Sequence, residues 1–441
     1  MKAKIKVFSM VLLLFSVLFG QSVNISGSFT LKERLNTKDS LTLSWNEAKL
    51  LVDMEAVPSE NIRFFGEVRF SDFGLSDNLS LDDLSKRKGI LLDVREAYLD
   101  VYDFLMSNLD LRAGKQIIVW GTADKINPTS NLSPYNYEDI LDFGKKEGIT
   151  AIKLTYSGDN FAVEGDFVPR FRPAILPEGD YLNTFMQNGT FQSRRVNIVN
   201  SNTFLIMPKS DIKESSEVGI RLSTTVWKFD LSLSYFNGLL GLPFAKSVHL
   251  VPLDTLGNMN LNTTLSFSRS HVIGTDFSTS LFGIGFWGEG ALYIPHEFVM
   301  ELSYPTYTGM VREYDTILKD PFFKYVLGAD YHFKHNYYLN VQYVHGFLHE
   351  YGDSLKNYLT GRLQKSFLND RLKITPLSGI FTFKKNIKDS FAFGYMPEIE
   401  YKPYDGVSIL LGAFISDYKN LILFPGIDRK RQVYMKMKIE F

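Results

Sequence analysis

The last nine residues, Val433 to Phe441, alternate apolar and polar positions without a break. Val433, Met435, Met437, Ile439 and Phe441 fall on one face, and Tyr434, Lys436, Lys438 and Glu440 on the other. Successive strand side chains point to opposite faces, so the pattern predicts a strand with one apolar and one wet side. The same period recurs along the chain. Val218, Ile220, Leu222, Thr224 and Val226 oppose Glu217, Gly219, Arg221 and Ser223; Phe391, Phe393, Tyr395, Ile399 and Tyr401 oppose Ala392, Gly394, Glu398 and Glu400. Helical spacing is scarce beside it. About 18 strand-like segments emerge, each of roughly the ten residues that a tilted membrane strand needs. They lie near 22–32, 40–55, 61–71, 89–102, 108–120, 148–157, 160–171, 216–227, 228–238, 270–281, 283–294, 322–333, 336–348, 356–368, 371–383, 390–402, 406–417 and 430–441.

Connections alternate in length. Those at 157–160, 334–336, 369–370 and 403–406 are tight and carry the Gly, Asn and Asp that hairpin turns require. Longer ones lie near 72–88, 121–147, 172–215, 239–269, 295–321 and 418–429. The prediction is an all-β fold: a single closed antiparallel transmembrane β-barrel of about 18 strands, with short periplasmic turns and long outer loops. Stretches 202–208 and 261–268 also have strand character and could raise the count. Two tandem β-sandwiches would alternate too, but their strands are shorter, about five or six residues, and neither a linker nor an internal repeat divides this chain.

The chain ends agree with that reading. Residues 1–20 combine a basic start, an apolar stretch from Val7 to Phe19 and Gly20 before Gln21, the pattern of a signal peptide. No other apolar run reaches the length of a spanning helix, so residues 21–441 are expected to be the exported barrel. Ending on Phe after an alternating strand resembles the terminal signal of outer-membrane barrels, with Ile439 and Phe441 carrying it. The expected location is the cell outer membrane of a diderm bacterium. The expected partners are outer-membrane lipid and the barrel-assembly machinery, and a homo-oligomer is compatible. Tyr156, Trp227, Tyr235, Tyr331, Tyr337, Tyr401 and Phe441 sit at strand ends and are candidates for aromatic girdles.

Composition narrows the chemistry. Aromatics make up 14% of residues and charged residues 22%, which suits strands that are apolar on alternate positions only. Lys plus Arg number 48 against 49 Asp plus Glu, a balance that gives no reason to expect nucleic acid. Without cysteine there is no disulfide framework and no thiolate metal site. The seven histidines (His249, His271, His296, His332, His335, His345 and His349) form no triad-like spacing, and neither Gly-x-Ser-x-Gly nor His-Glu-x-x-His occurs. The expectation is a protein that is not an enzyme, with no catalytic, cofactor-binding or metal-binding residues.

If the apolar face meets lipid, the polar face lines the lumen. That face receives Arg112, Lys153, Glu164, Arg221, Glu289, Lys324 and Arg362 as candidate pore-lining charges, in numbers that water must solvate. The segment 121–147 is the candidate constriction. Its Gly, Pro, Asn and Ser residues suit a structured path, and Ile126, Leu132, Ile140, Leu141 and Phe143 favour packing inward against the wall. Asp124, Lys125, Glu138 and Asp139 would then be the charges nearest a permeating solute.

Gly114-Lys115-Gln116-Ile117-Ile118-Val119-Trp120-Gly121, followed by Asp124, Pro128 and Ser133-Pro134, resembles a pattern in poorly characterised porin-like outer-membrane proteins. Val168-Pro169-Arg170-Phe171-Arg172-Pro173-Ala174-Ile175-Leu176-Pro177 resembles a second signature of the same group. The two cover about residues 95–180, and neither is catalytic. The resemblance implies a large single-chain barrel and says little about the solute. The expected function is therefore a porin, a water-filled channel for passive diffusion of small hydrophilic solutes or ions. A substrate-dedicated or polymer-export barrel is the alternative, and a structural anchor of an outer layer a weaker one.

Overall fold

The computed structural model describes residues 23–38, 41–73, 91–176, 197–254, 257–306, 309–383, 390–421, 423 and 430–441. The expected signal peptide and most of the connections near 72–88 and 418–429 lie outside the described residues. In chain order the strands are β1 (Val23–Asn36), β2 (Thr42–Ser59), β3 (Ile62–Phe73), β4 (Leu91–Val101), β5 (Leu109–Gln116), β6 (Ile149–Ser157), β7 (Phe161–Val168), β8 (Asn197–Leu205), β9 (Glu217–Val226), β10 (Phe229–Leu239), β11 (Phe244–Pro252), β12 (Asn258–Ser266), β13 (Arg269–Leu281), β14 (Ile284–Pro295), β15 (Phe298–Thr306), β16 (Gly309–Leu318), β17 (Phe322–Phe333), β18 (Tyr337–His345), β19 (Asn357–Phe367), β20 (Leu372–Phe383), β21 (Phe391–Tyr395), β22 (Glu398–Tyr404), β23 (Val407–Lys419) and β24 (Arg431–Glu440).

Nineteen of these segments form one antiparallel sheet that closes on itself through β1 and β24. β21 and β22 both lie between β20 and β23 and are two halves of one strand, so the wall has 18 strands. The seam is in register over nine pairs, from Ser28↔Glu440 to Asn36↔Gln432. Beyond it, Gly27 and Phe441 exchange backbone hydrogen bonds. Closure leaves no unpaired edge in the wall.

The alternation places apolar side chains outward. Ile152, Leu154, Ile220, Leu222, Leu231, Leu233, Leu327, Leu359, Leu411 and Val433 are exposed on the outer surface. At the turn end the outer rim is aromatic. Tyr156 precedes the 157–160 turn, Trp227 sits in its own turn, Tyr331 and Tyr337 flank 334–336, Tyr401 approaches 405–406, and Phe441 ends the last strand. Tyr235 lies at the opposite rim, where its hydroxyl is 2.8 Å from His271 Nδ1. The turns are tight. Phe282 and Gly283 join β13 to β14 with both φ values positive (55° and 79°), the geometry that matches strand twist in a two-residue hairpin.

Three of the long connections are not irregular. β8, β11, β12, β15 and β16 come from the connections near 172–215, 239–269 and 295–321, and they build a separate five-stranded sheet. The strand character at 202–208 and 261–268 is genuine, but β8 and β12 pair in parallel in this sheet rather than joining the wall. On one face of that pair Asn200 meets Asn260 and Asn202 meets Asn262, each through a 3.0 Å side-chain hydrogen bond.

Candidate functional site

The segment between β5 and β6 turns into the barrel instead of capping it. Inward-facing glycines make room for its start. The Trp120 ring lies against Gly219, and Thr129 against Gly274, where a Cβ would be 2.6 Å from each side chain. Trp120 Nε1 donates to Glu164 at 2.7 Å, and Tyr293 donates to the Pro128 carbonyl at 2.7 Å. The alternation alone leads one to expect a continuous aqueous bore. This segment, Phe347, Leu348, Ala174 and Leu242 are instead packed in one buried cluster on the inner wall, toward the strand ends away from the tight turns.

Glu289 on β14 holds the first half of the segment. Its carboxylate accepts from the backbone N–H of Thr122, Ala123 and Thr129, from Asn127 Nδ2 and from Thr129 Oγ1, at 3.0–3.2 Å. Five donors around a buried carboxylate replace the water it loses. Next, Gln342 on β18 accepts from the Asp124 N–H at 3.1 Å and donates to its carbonyl at 3.2 Å.

The middle of the segment packs on an apolar inner wall. Ala123, Ile126, Tyr137 and Ile140 join Phe347, Leu348, Val326, Val344, Tyr358, Ile380, Ala392 and Phe414 in one buried cluster. The wall members of that cluster point inward from β17 through β23. Alternation hides them, because these strands are apolar on both faces there.

Its end is fixed by charge. Asp139 caps a short 3-10 turn, Ile140–Asp142, and its carboxylate takes Lys32 and both terminal contacts of Arg34 Nη2, at 2.9 Å each. Burial opposes ionisation of Asp139, but Arg34 and Lys32 outweigh it and hold the carboxyl below its usual range. Glu147 accepts from Arg69 Nη1 at 3.2 Å and from Asn136 Nδ2 at 2.7 Å.

Between residues 136–147 and the inner face of β24, β1, β2, β3 and β4 a cavity of about 240 Å³ remains. Seven cations line it (Lys32, Lys49, Arg69, Arg95, Lys145, Lys436 and Lys438) together with five carboxylates (Glu47, Glu138, Asp139, Asp142 and Glu147), Trp45 and neutral polar groups. Most of these charges are paired: Lys49 with Glu47, Arg69 with Asp93 and Glu147, Lys145 with Asp142, and Lys438 with Glu440. Lys436 has no carboxylate at ion-pair distance among the described residues.

The structure thus brings Glu138 and Asp139 to this cavity. Asp124 and Lys125 lie elsewhere on the segment, with Lys125 Nζ 5.6 Å from the centre of the Phe143 ring. Arg112, Lys153, Glu164, Arg221 and Arg362 form wall pairs outside the cavity: Arg112 with Asp100 (2.6 Å), Lys153 with Glu164 (2.5 Å), Arg221 with Asp276 (3.4 Å) and Arg362 with Glu398 (3.2 Å). Lys324 lies deep beside 347–351, bonded to the Phe347 carbonyl at 3.0 Å. Lys32, Lys49, Arg69 and Arg95 were not among the candidates read from the sequence. Arg95 shows why: the register shifts between Glu67 and Val68 opposite it, and such a bulge reverses which face later residues take.

No metal-binding group of three or more His, Cys, Asp or Glu occurs among the described residues, and no helix is long and apolar enough to cross a membrane. The fold is a closed antiparallel barrel of 18 strands. By sequence the chain belongs to a family described only as "Protein of unknown function (DUF1302)", whose model matches residues 34–349. Comparison with curated proteins finds no match. Among solved structures it resembles OccAB1 of Acinetobacter baumannii, with a TM-score of 0.52 at 10% identity, covering 95% of this chain and 96% of that one. It also resembles OccK8 (OprE) of Pseudomonas aeruginosa, with a TM-score of 0.51 at 8% identity over 95% and 98% of the two chains. At such identities the likeness establishes the fold alone.

Proposed function

We propose that this chain is an outer-membrane channel through which small hydrophilic solutes or ions diffuse, narrowed by the segment 121–147. The observation that carries the reading is the charge-lined cavity left between residues 136–147 and the β24–β4 side of the wall. Fixed charges of both signs beside a narrow aqueous passage favour polar solutes. The outward apolar surface and its aromatic rim at the turn end suit a lipid bilayer.

Dedication to one class of solute is the second reading, favoured by the anchoring of the segment at Glu289, Asp139 and Glu147. A loop held at three points presents a fixed shape to whatever passes. The same filling tells against export of a polymer, which needs a wide bore. Ile439 and Phe441 keep their proposed part as the assembly signal, at the outer face of the seam strand. Single-channel recording of the purified full-length protein in a planar bilayer tests the proposal. Discrete conductance steps that saturate with one solute class support dedication, linear ones support general diffusion, and their absence refutes a channel.

A further inference from the structure

A second, smaller cavity of about 40 Å³ is enclosed between the inward segment and the loop 346–351. Tyr135, Tyr293, Tyr351 and Asn131 line it, and two lysines reach it from opposite elements. Lys146, from the segment itself, donates to the carbonyls of Ser130 (2.8 Å) and Ser133 (3.0 Å), and its ammonium lies 3.2 Å from the centre of the Tyr135 ring. Lys324, from β17, donates to the Phe347 carbonyl at 3.0 Å and lies 4.3 Å from the Tyr351 ring centre. Their side chains are almost fully buried, at 7% and 3% exposure.

Neither ammonium has a carboxylate at ion-pair distance among the described residues. The nearest acids are spoken for: Glu289 by its five donors, Glu350 by Lys356, Tyr358 and the Phe347 N–H. An ammonium has three N–H donors, so Lys146 keeps one unused and Lys324 two. A buried donor without an acceptor costs about 1–3 kcal/mol, and an uncompensated buried charge costs more. Ring faces attract cations but take up no hydrogen bond of ordinary strength. Burial pushes Lys146 well below the usual lysine range, so a bound anion and the proton that restores its third N–H enter together.

We infer that this cavity is a binding site for a small monovalent anion, a halide or the carboxylate end of a short organic acid, held by Lys146 and Lys324. Size sets the class. A water needs about 10–15 Å³ of such space, so the cavity takes a few atoms and excludes a sugar or a peptide. The inference rests on the channel reading only for how the anion arrives.

Crystals of the full-length protein grown in bromide test it directly. An anomalous bromide peak within hydrogen-bonding reach of either Nζ is expected, and its absence from the cavity overturns the inference. In detergent solution, bromide or propionate should raise the melting midpoint of the wild type. The half-saturating concentration should be about tenfold higher in Lys324→Met and nearly unchanged in Lys324→Arg. Stabilisation by both anions points to a site for the charged group alone, and by propionate only to a site for organic acids. Equal stabilisation of wild type and Lys324→Met overturns the assignment. Bromide bound in a protein that conducts nothing would sink the channel reading and leave the site standing, whereas conduction without bound bromide would do the reverse.

Discussion

The two sides of the inner wall differ in kind. From β17 through β23 the wall turns Val326, Val344, Tyr358, Ile380, Ala392 and Phe414 inward, and the folded-in segment packs on them in a buried apolar cluster. From β24 through β4 it turns Lys436, Lys32, Lys49, Arg69 and Arg95 inward, and a cavity stays open. One stretch of chain separates the two. Tyr137 and Ile140 join the apolar cluster, while Glu138, Asp139, Asp142 and Lys145 line the charged cavity. Apolar burial can hold a loop in place only where water is excluded, and fixed charges are tolerable only where water or a partner remains. On the proposed channel reading, the barrel keeps a rigid constriction by giving one side of its lumen to packing and the other to passage.

The largest change would abolish both sides together. Replacing Ile439 and Phe441 by Lys puts charge on the outer face of the seam strand at its turn-end rim, where each charge costs only about 0–1 kcal/mol, and removes the proposed assembly signal, which carries most of the effect. Membrane-inserted, heat-modifiable protein should nearly disappear. Wild-type amounts from that variant would refute the signal.

Deleting 124–142 should merge the two sides into one open lumen. Single-channel conductance should rise several-fold and solute discrimination should fall. An unchanged conductance would mean that this segment is not the constriction.

Phe347→Ala attacks the packed side only. The ring is fully buried in the apolar cluster, and such truncations cost about 3–5 kcal/mol. The melting midpoint should drop while the reversal potential in a salt gradient stays as it was. A shift in selectivity would show that the two sides are not separate.

How much of this division was legible in the sequence follows from what each residue must satisfy. The 18 wall strands were readable because the outer face needs an apolar residue at every second position, as in Val218 to Val226. The five strands of the second sheet have no such outer face. Val248 and Leu250 on β11 are buried beside an exposed Lys246 and Val251, so only the short stretches 202–208 and 261–268 hinted at strands. The packed side was hidden for the opposite reason. Phe322 to Leu327 carries apolar residues on both faces, and the period is lost where the inner wall is also dry. Asp139 was visible as a loop carboxylate, but its partners Lys32 and Arg34 lie more than a hundred residues earlier, and only the fold brings them together.

Asp139→Asn works at the boundary. It removes the counter-ion of Lys32 and Arg34, so the cavity becomes more positive and the reversal potential should shift toward anions. Loss of the pair should cost about 3–5 kcal/mol. The pH dependence has a definite sign. The folded carboxyl titrates below its unfolded value of about 3.9, so the contribution is fully present above that pH and is lost as pH falls through the lowered folded value. The difference in melting midpoint between wild type and Asp139→Asn should therefore stay constant from pH 7 to about 4 and shrink only below that. A difference that fades between pH 7 and 5 would contradict the ion pair.

The smallest effect separates the cavity from the wall around it. Lys436→Gln and Arg362→Gln each remove one inward cation, so the formal change is the same. Lys436 faces the cavity with no carboxylate at ion-pair distance among the described residues. Arg362 is paired with Glu398, and its side chain is 47% exposed. In a wide, wet region the charge left on Glu398 is screened within about 8–10 Å at ordinary salt. In a narrow passage a charge acts on the solute at contact, with less water between them. Lys436→Gln should thus move the reversal potential toward cations by clearly more than Arg362→Gln. The gap should close near 1 M salt, where the screening length falls to about 3 Å. Equal shifts at low salt would place the narrowest part of the path away from the β24–β4 side and make the charged cavity a dead end.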